Sequence, residues 1–171
     1  MPIEFLIFLT VFTPALVGGL NLIFNKNPNV RDTVTLLGAL ITFYFSANIF
    51  LGFDGQATQY KLATIMPGID ISFHIEPLGI VFSLLASGLW ILTHIYAIGY
   101  MRGAKEKNHS RFFFFFSFSI ASVMGISFSG NLFTLFLFYE ILTLITFPLV
   151  SHKGSAEALR GARVYLSILL G

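Results

Sequence analysis

Residues 132–150 read LFTLFLFYEILTLITFPLV, an apolar run with a single charge, Glu140, near its middle. As a helix this stretch is about 28 Å long at 1.5 Å per residue, close to the roughly 30 Å of hydrocarbon in a bilayer. Its length and its nearly uncharged composition make it read as a membrane-spanning helix. Four more runs of this kind lie upstream, over about 3–24, 33–53, 77–101 and 112–128. A final stretch, 158–171, starts amphipathic and turns apolar at Val164, and it stops after too few residues to span. The fold class expected is therefore an all-α membrane protein with five spans and the beginning of a sixth, in one transmembrane region.

Composition supports this. Of 171 residues, 56% are hydrophobic and 11% charged, where soluble domains carry about 25% charged residues. Cysteine is absent, which excludes disulfides, thiolate catalysis and cysteine-ligated metals. The net charge of +2 is small and its basic residues fall in short segments, so nucleic acid is not an expected partner. The segments share one side: Lys26 and Arg31; Arg102, Lys105, Lys107 and Arg111; Lys153, Arg160 and Arg163. Basic short loops lie on the cytoplasmic side, which puts the N-terminus outside, in a prokaryotic plasma membrane; binding of anionic lipid by these loops is the alternative use. Glu4, Asp54, Asp70 and Glu76 fall on the other side.

Between the spans, the cluster Asn25-Lys26-Asn27-Pro28-Asn29 breaks the chain, and Asp32 or Thr33 is the expected N-cap of the second helix. Pro14 lies inside the first helix, where the hydroxyl of Thr10 is a candidate for the carbonyl that proline frees. In the external loop 54–76, Ile69, Ile71 and Phe73 alternate with Asp70, Ser72 and His74, which predicts a short strand or hairpin. Glu76-Pro77 suits the first turn of helix three. The five phenylalanines Phe112 to Phe116 suit packing or lipid contact. Ser129-Gly130-Asn131 allows only a tight turn, making helices four and five antiparallel neighbours.

Glu140 is the one charge deep inside a span. Such a residue costs at least about 2.5 kcal/mol on insertion scales, so it faces protein or water and pairs with a partner. In a low-dielectric interior the neutral acid is favoured until a cation approaches, so its protonation follows the position of a basic partner, as a proton relay requires. A purely structural carboxyl that joins two helices is the alternative. Tyr139, Thr143 and Thr146 continue a polar stripe along the helix, able either to hold water or to pack helices. Pro148 is expected to break the last turn. On helix three, Ser83, Ser87, Trp90 and His94 share a stripe; imidazole titrates near neutral pH, so His94 is a second relay candidate, with a hydrogen-bonded packing histidine as the alternative. No phosphate loop, metal cluster, nucleophile elbow or dinucleotide fingerprint occurs in the sequence, so no cofactor, metal or enzyme chemistry is expected in this chain.

The stretches Ile75-Glu76-Pro77-Leu78-Gly79, His94-Ile95-Tyr96-Ala97 with Tyr100-Met101, Ser110-Arg111-Phe112-Phe113, and Asn131-Leu132 with Phe138-Tyr139-Glu140 together resemble the antiporter-like subunits of complex I, membrane-bound hydrogenases and Mrp sodium/proton antiporters. Phe147-Pro148-Leu149-Val150, Ala158-Leu159-Arg160 and Arg163-Val164-Tyr165-Leu166 look most like the Mrp D subunit. The family often has aspartate at the Glu76 position. The resemblance implies a bundle of about fourteen helices, of which this sequence holds the N-terminal part. It implies a glutamate at position 140 that pairs with a lysine on the seventh helix and a central histidine or lysine chain beyond. The lysine would come from further along the same polypeptide or from another one. The expected function is a part in proton or sodium/proton translocation within a multisubunit complex, with Glu140 as proton carrier and His94, Thr143 and Tyr139 as auxiliaries. The alternative is a non-transporting scaffold or assembly subunit of a respiratory or hydrogenase complex.

Overall fold

The computed structural model describes residues 2–56, 58–104, 108–152 and 155–170; Lys105, Lys107, Lys153 and Gly171 lie outside them. Six helices and one hairpin come in the order α1 (Ile3–Ile23), α2 (Pro28–Gly52), β1 (Thr58–Met66), β2 (Ile69–Ile75), α3 (Pro77–Gly103), α4 (His109–Ser127), α5 (Leu132–Val150) and α6 (Ala156–Leu170). The first five helices are long and apolar enough to cross a membrane, and the protein is an integral membrane protein.

Three local readings are corrected. Helix α2 begins at Pro28 and not near Thr33, with Asn27 at the N-cap position and Pro28 in the first turn. Proline's fixed φ and missing N–H suit a helix start, so the residue that breaks the preceding chain also opens the next helix. Asp32 is thus no cap; it lies inside the helix and is buried. The Thr10 hydroxyl donates to the Leu6 carbonyl at 2.7 Å. The carbonyl that Pro14 frees, four residues back, is that of Thr10 itself, and a threonine hydroxyl in a helix turns to the carbonyl one turn earlier. Pro148 does not end α5, which runs on to Val150.

Helices α1, α2, α3 and α4 form a closed ring: α1 packs on α2, α2 on α3, α3 on α4 and α4 on α1. Helix α5 packs on the outside of α4, and α6 on α5. At one end of the ring lies an apolar plug built from Leu6, Ile7, Ile49, Ile80, Met124 and Phe128, closed by Phe73 and Ile75 of the hairpin. This packing puts the burial of several large side chains, about 1.5–3 kcal/mol each, at the hairpin end.

The hairpin turns at Pro67-Gly68, where Gly68 takes φ 87°, a conformation that glycine enters without Cβ strain. Strand β2 is strapped to the α4–α5 turn. His74 N–H donates to the Phe128 carbonyl and Gly130 N–H to the Ser72 carbonyl, both at 2.8 Å. Asn131 caps α5 by accepting from Thr134 N–H at 2.7 Å, and its Nδ2 donates to the Asp70 carbonyl at 2.7 Å. A single side chain thus starts a span and anchors a strand.

Across the hairpin, Lys61 pairs with Asp70 at 2.8 Å. The hydrogen bond from Lys61 holds the Asp70 carboxyl below its ordinary range. A depressed folded value means that the contribution is present above the unfolded value, about 3.9, and lost as pH falls through the folded one. Amide protection of 58–66 and 69–75, corrected for intrinsic exchange, should therefore hold from neutral pH down to about 4 and decline below. In Asp70→Asn that acid step should vanish; a step of equal size in the variant would assign it to another group.

Candidate functional site

Glu140 lies at the middle of α5 and is half-buried. Among the described residues it makes no hydrogen bond and no ion pair. Its helix is also the least covered of the five spans: 11% of its apolar window is buried, against 33–44% for the others. Only Thr134 and Thr143 of α5 are buried, and Leu132, Leu135, Phe136, Tyr139 and Leu144 are exposed. The helix that carries the intramembrane acid is therefore the span with the most uncovered surface.

The polar stripe around Glu140 has its own bonds. Thr143 Oγ1 donates to the Tyr139 carbonyl at 3.0 Å, and Thr146 Oγ1 lies 3.0 Å from the Tyr165 hydroxyl of α6. The first is a turn-to-turn bond within α5; the second joins α5 to α6. No hydrogen bond brings Tyr139, Thr143 or Thr146 to Glu140 among the described residues. Each threonine hydroxyl retains acceptor capacity for a further donor.

The α3 stripe points into the ring: Ser83, Ser87, Trp90 and His94 are all buried. His94 reaches a cluster that has no direct signature in the sequence. Its Nε2–H donates to the Asp32 carbonyl at 3.2 Å, and its ring meets Phe113 edge-on at 5.0 Å between centroids. A carbonyl only accepts, so the proton sits on Nε2. Arg31 Nη2 donates to Asp32 Oδ1 at 2.7 Å, and Arg102 Nη2 to Asp32 Oδ2 at 2.6 Å. Arg31 also lies over the Phe113 ring, 5.1 Å from its centroid, and donates to Ser110 Oγ at 3.3 Å. Ser110 in turn donates to Asn25 Oδ1 at 2.7 Å. Helices α2, α3 and α4 and the α1–α2 turn are thereby tied at the end opposite the hairpin. Arg31, Arg102 and Asp32, read from sequence as topology signals and a cap, form an ion cluster that is buried at Arg31 and Asp32 and open to solvent at Arg102. The available signal was the spacing Asp32, Thr35, Gly38/Ala39, Thr42, Ser46, a buried small and polar stripe at helical period. Helix α4 packs against both α3 and α5, and no bond links His94 to Glu140 among the described residues.

With this geometry in view, comparison with known proteins points to one class, the antiporter-like subunits of membrane complexes. The model of the N-terminus of chain 5 of NADH-ubiquinone oxidoreductase (complex I) matches residues 66–113, the hairpin tip through α3 into α4. The chain is 28% identical over 170 residues to the chloroplastic NAD(P)H-quinone oxidoreductase subunit 5 of Ipomoea purpurea, covering 92% of this chain and 24% of the relative. It is 30% identical over 126 residues to a putative antiporter subunit, mnhA2, of Staphylococcus haemolyticus, covering 72% and 16%. With NADH-quinone oxidoreductase subunit L of Neisseria meningitidis serogroup B it shares 30% over 125 residues, covering 69% and 18%. A chain of the membrane-bound sulfane sulfur reductase, an archaeal respiratory membrane complex, has the same fold with a TM-score of 0.71 at 18% identity, over 83% of this chain and 22% of that one. The relatives are antiporter-like subunits of multisubunit membrane complexes, as the sequence motifs imply; the sodium/proton antiporter relatives among them are A subunits, where residues 147–166 look most like a D subunit, and the chain spans a quarter or less of their length.

Proposed function

We propose that this chain is part of a proton or sodium/proton translocating antiporter-like subunit in a multisubunit membrane complex. The observation that carries it is Glu140: a mid-span carboxyl without a partner among the described residues, on the span with the least covered surface. A carboxyl there needs a cation or water to ionise, and the bare faces of α5 leave room for further helices. In this proposal a lysine from such a helix approaches Glu140, favours the carboxylate and releases its proton; withdrawal favours reprotonation. Differential affinity of the two arrangements for the proton couples movement to transport. Thr143 and Tyr139 would support water beside the carboxyl, and His94 would serve as an auxiliary site. The relatives' names, which include antiporter and quinone oxidoreductase subunits, favour this class. The proposal also places the basic loops in the cytoplasm and the N-terminus and hairpin outside, in a prokaryotic plasma membrane.

The test is Glu140→Gln in the complete complex, reconstituted in vesicles. Glutamine keeps the shape and removes the titration, so proton or sodium/proton exchange should fall at least about tenfold, the scale of one lost protonation step, with the complex still assembled. Unchanged exchange would leave the scaffold alternative, in which Glu140 serves helix packing alone.

A further inference from the structure

The interior of the α1–α4 ring is unusual in its unpaired polar atoms. Asn21 Nδ2, Ser46 Oγ, Trp90 Nε1, His94 Nδ1 and Ser117 Oγ are buried and have no hydrogen-bond partner among the described residues. All five side chains are at most 1% exposed, and all four helices contribute. A serine hydroxyl can turn to a carbonyl of its own helix. The amide of Asn21, the indole of Trp90 and the imidazole of His94 are held by their other contacts and have no such escape. Buried polar groups in folded proteins are paired with protein or with ordered water.

Three of these atoms belong to one layer. Asn21 Oδ1 accepts from Thr35 Oγ1 at 2.7 Å, and Thr35 lies one turn beyond the Asp32 carbonyl that holds His94. Ser117 lies one turn beyond Phe113, whose ring touches His94. Asn21 offers N–H donors, His94 Nδ1 a lone pair and Ser117 a hydroxyl that does either. Two to four such partners are what an internal water needs. The charged groups facing His94 are Asp32 and Arg31 from α2, and Arg102 on α3 lies beyond Asp32; α1 and α4 present Asn21, Ser110 and Ser117, all neutral. The surroundings carry a net positive charge, which suits water better than a metal cation.

The layer lies between the apolar plug and the ion cluster. Toward the hairpin it is stopped by the plug of Leu6, Ile7, Ile49, Ile80 and Met124. Toward the other end it meets Asp32 and then Arg102, whose side chain is 46% exposed.

We propose that the α1–α4 ring encloses a water site lined by Asn21, His94 and Ser117, closed toward the hairpin by the apolar plug. The water donates a hydrogen bond to the Nδ1 lone pair, while Nε2–H keeps its bond to the Asp32 carbonyl. This deepens the auxiliary role given to His94 in the proposed function and rests on that role, but it does not depend on Glu140.

The experiment is solid-state NMR of the full chain in its assembled complex, labelled with ¹⁵N-histidine in lipid bilayers, with the His94 signals assigned by their loss in His94→Gln. A cross-peak between water protons and the His94 ring is expected. It should be lost in Asn21→Leu, which fills the site, and in Ser117→Val, which exchanges the hydroxyl for a methyl and adds one carbon, a smaller change that keeps the fold if the first does not. Glu140→Gln should leave it intact, so a failure of the Glu140 transport test and a failure here read separately. Absence of the cross-peak in the native protein overturns the proposal. So does a cross-peak that survives Ser117→Val.

Discussion

Asp32→Asn should destabilise the protein by roughly 3–5 kcal/mol, the cost of leaving a buried cation without its carboxylate. The Arg31 and Asp32 side chains are 3% and 6% exposed, so water cannot take over the pairing. Asparagine keeps the shape of aspartate and one acceptor oxygen, and it removes the charge that both Arg31 and Arg102 address. Two guanidinium groups would then face a neutral amide. Arg102 is itself 46% exposed, and its half of the cluster is worth no more than about 1 kcal/mol in solvent. Arg102→Ala should therefore be mild where Asp32→Asn is severe. The measurement is the unfolding midpoint in denaturant or heat, monitored by helical signal in bilayer-like detergent. Replacing both Arg31 and Asp32 with apolar residues of similar volume should recover much of the loss, since the penalty is the orphaned charge and not the missing pair. An Asp32→Asn protein as stable as the native one would show that the cluster is not what ties α2, α3 and α4 together.

Gly79→Ala is expected to be nearly as damaging for a steric reason. A Cβ at Gly79 would overlap the backbone carbonyl oxygen of Ser127, in the last turn of α4, and no rotamer change can move a helix carbonyl aside. The first turn of α3 must retreat from α4, which also opens the plug around Ile80 and Met124. Overpacking of this kind costs typically 1–3 kcal/mol and at times more. Gly19 and Gly99 supply the control, because a Cβ there meets nothing within 4 Å. Alanine at either should be neutral or stabilising by up to about 1 kcal/mol, through helix propensity and a less free unfolded chain. Equal effects at Gly79 and Gly99 would refute the close approach of α3 and α4.

The spans were legible and the buried cluster was not, because the two depend on different information. A membrane helix needs a run of apolar residues of fixed length, and such a run is local; so are the breakers at Asn25 to Asn29 and Ser129 to Asn131. The alternation of Ile69, Ile71 and Phe73 marked β2, but β1 is exposed along nearly its whole length and carries no such pattern. The Pro28 start was misjudged because proline both stops and starts helices, and the choice is made by the packing around it. Arg31 and Asp32 looked like loop charges because pairing across α2, α3 and α4 is invisible in one dimension. Glu140 stands out by its depth in the span alone. Among the described residues none supplies a cation to it.

The adjacency of Arg31 and Asp32 bears on how the protein is made. Neighbouring residues of opposite charge can neutralise each other as soon as α2 exists, before α3 has been synthesised. A nascent helix that leaves the insertion machinery with its charges already matched is easier to pass into lipid than one carrying an isolated ion. Arg102 and Ser110 arrive later, on segments that emerge after the hairpin, and the ring closes only when α4 returns to α1. The order of synthesis thus puts neutralisation first: the innermost pair forms early and locally, and Arg102 joins it later from the exposed side.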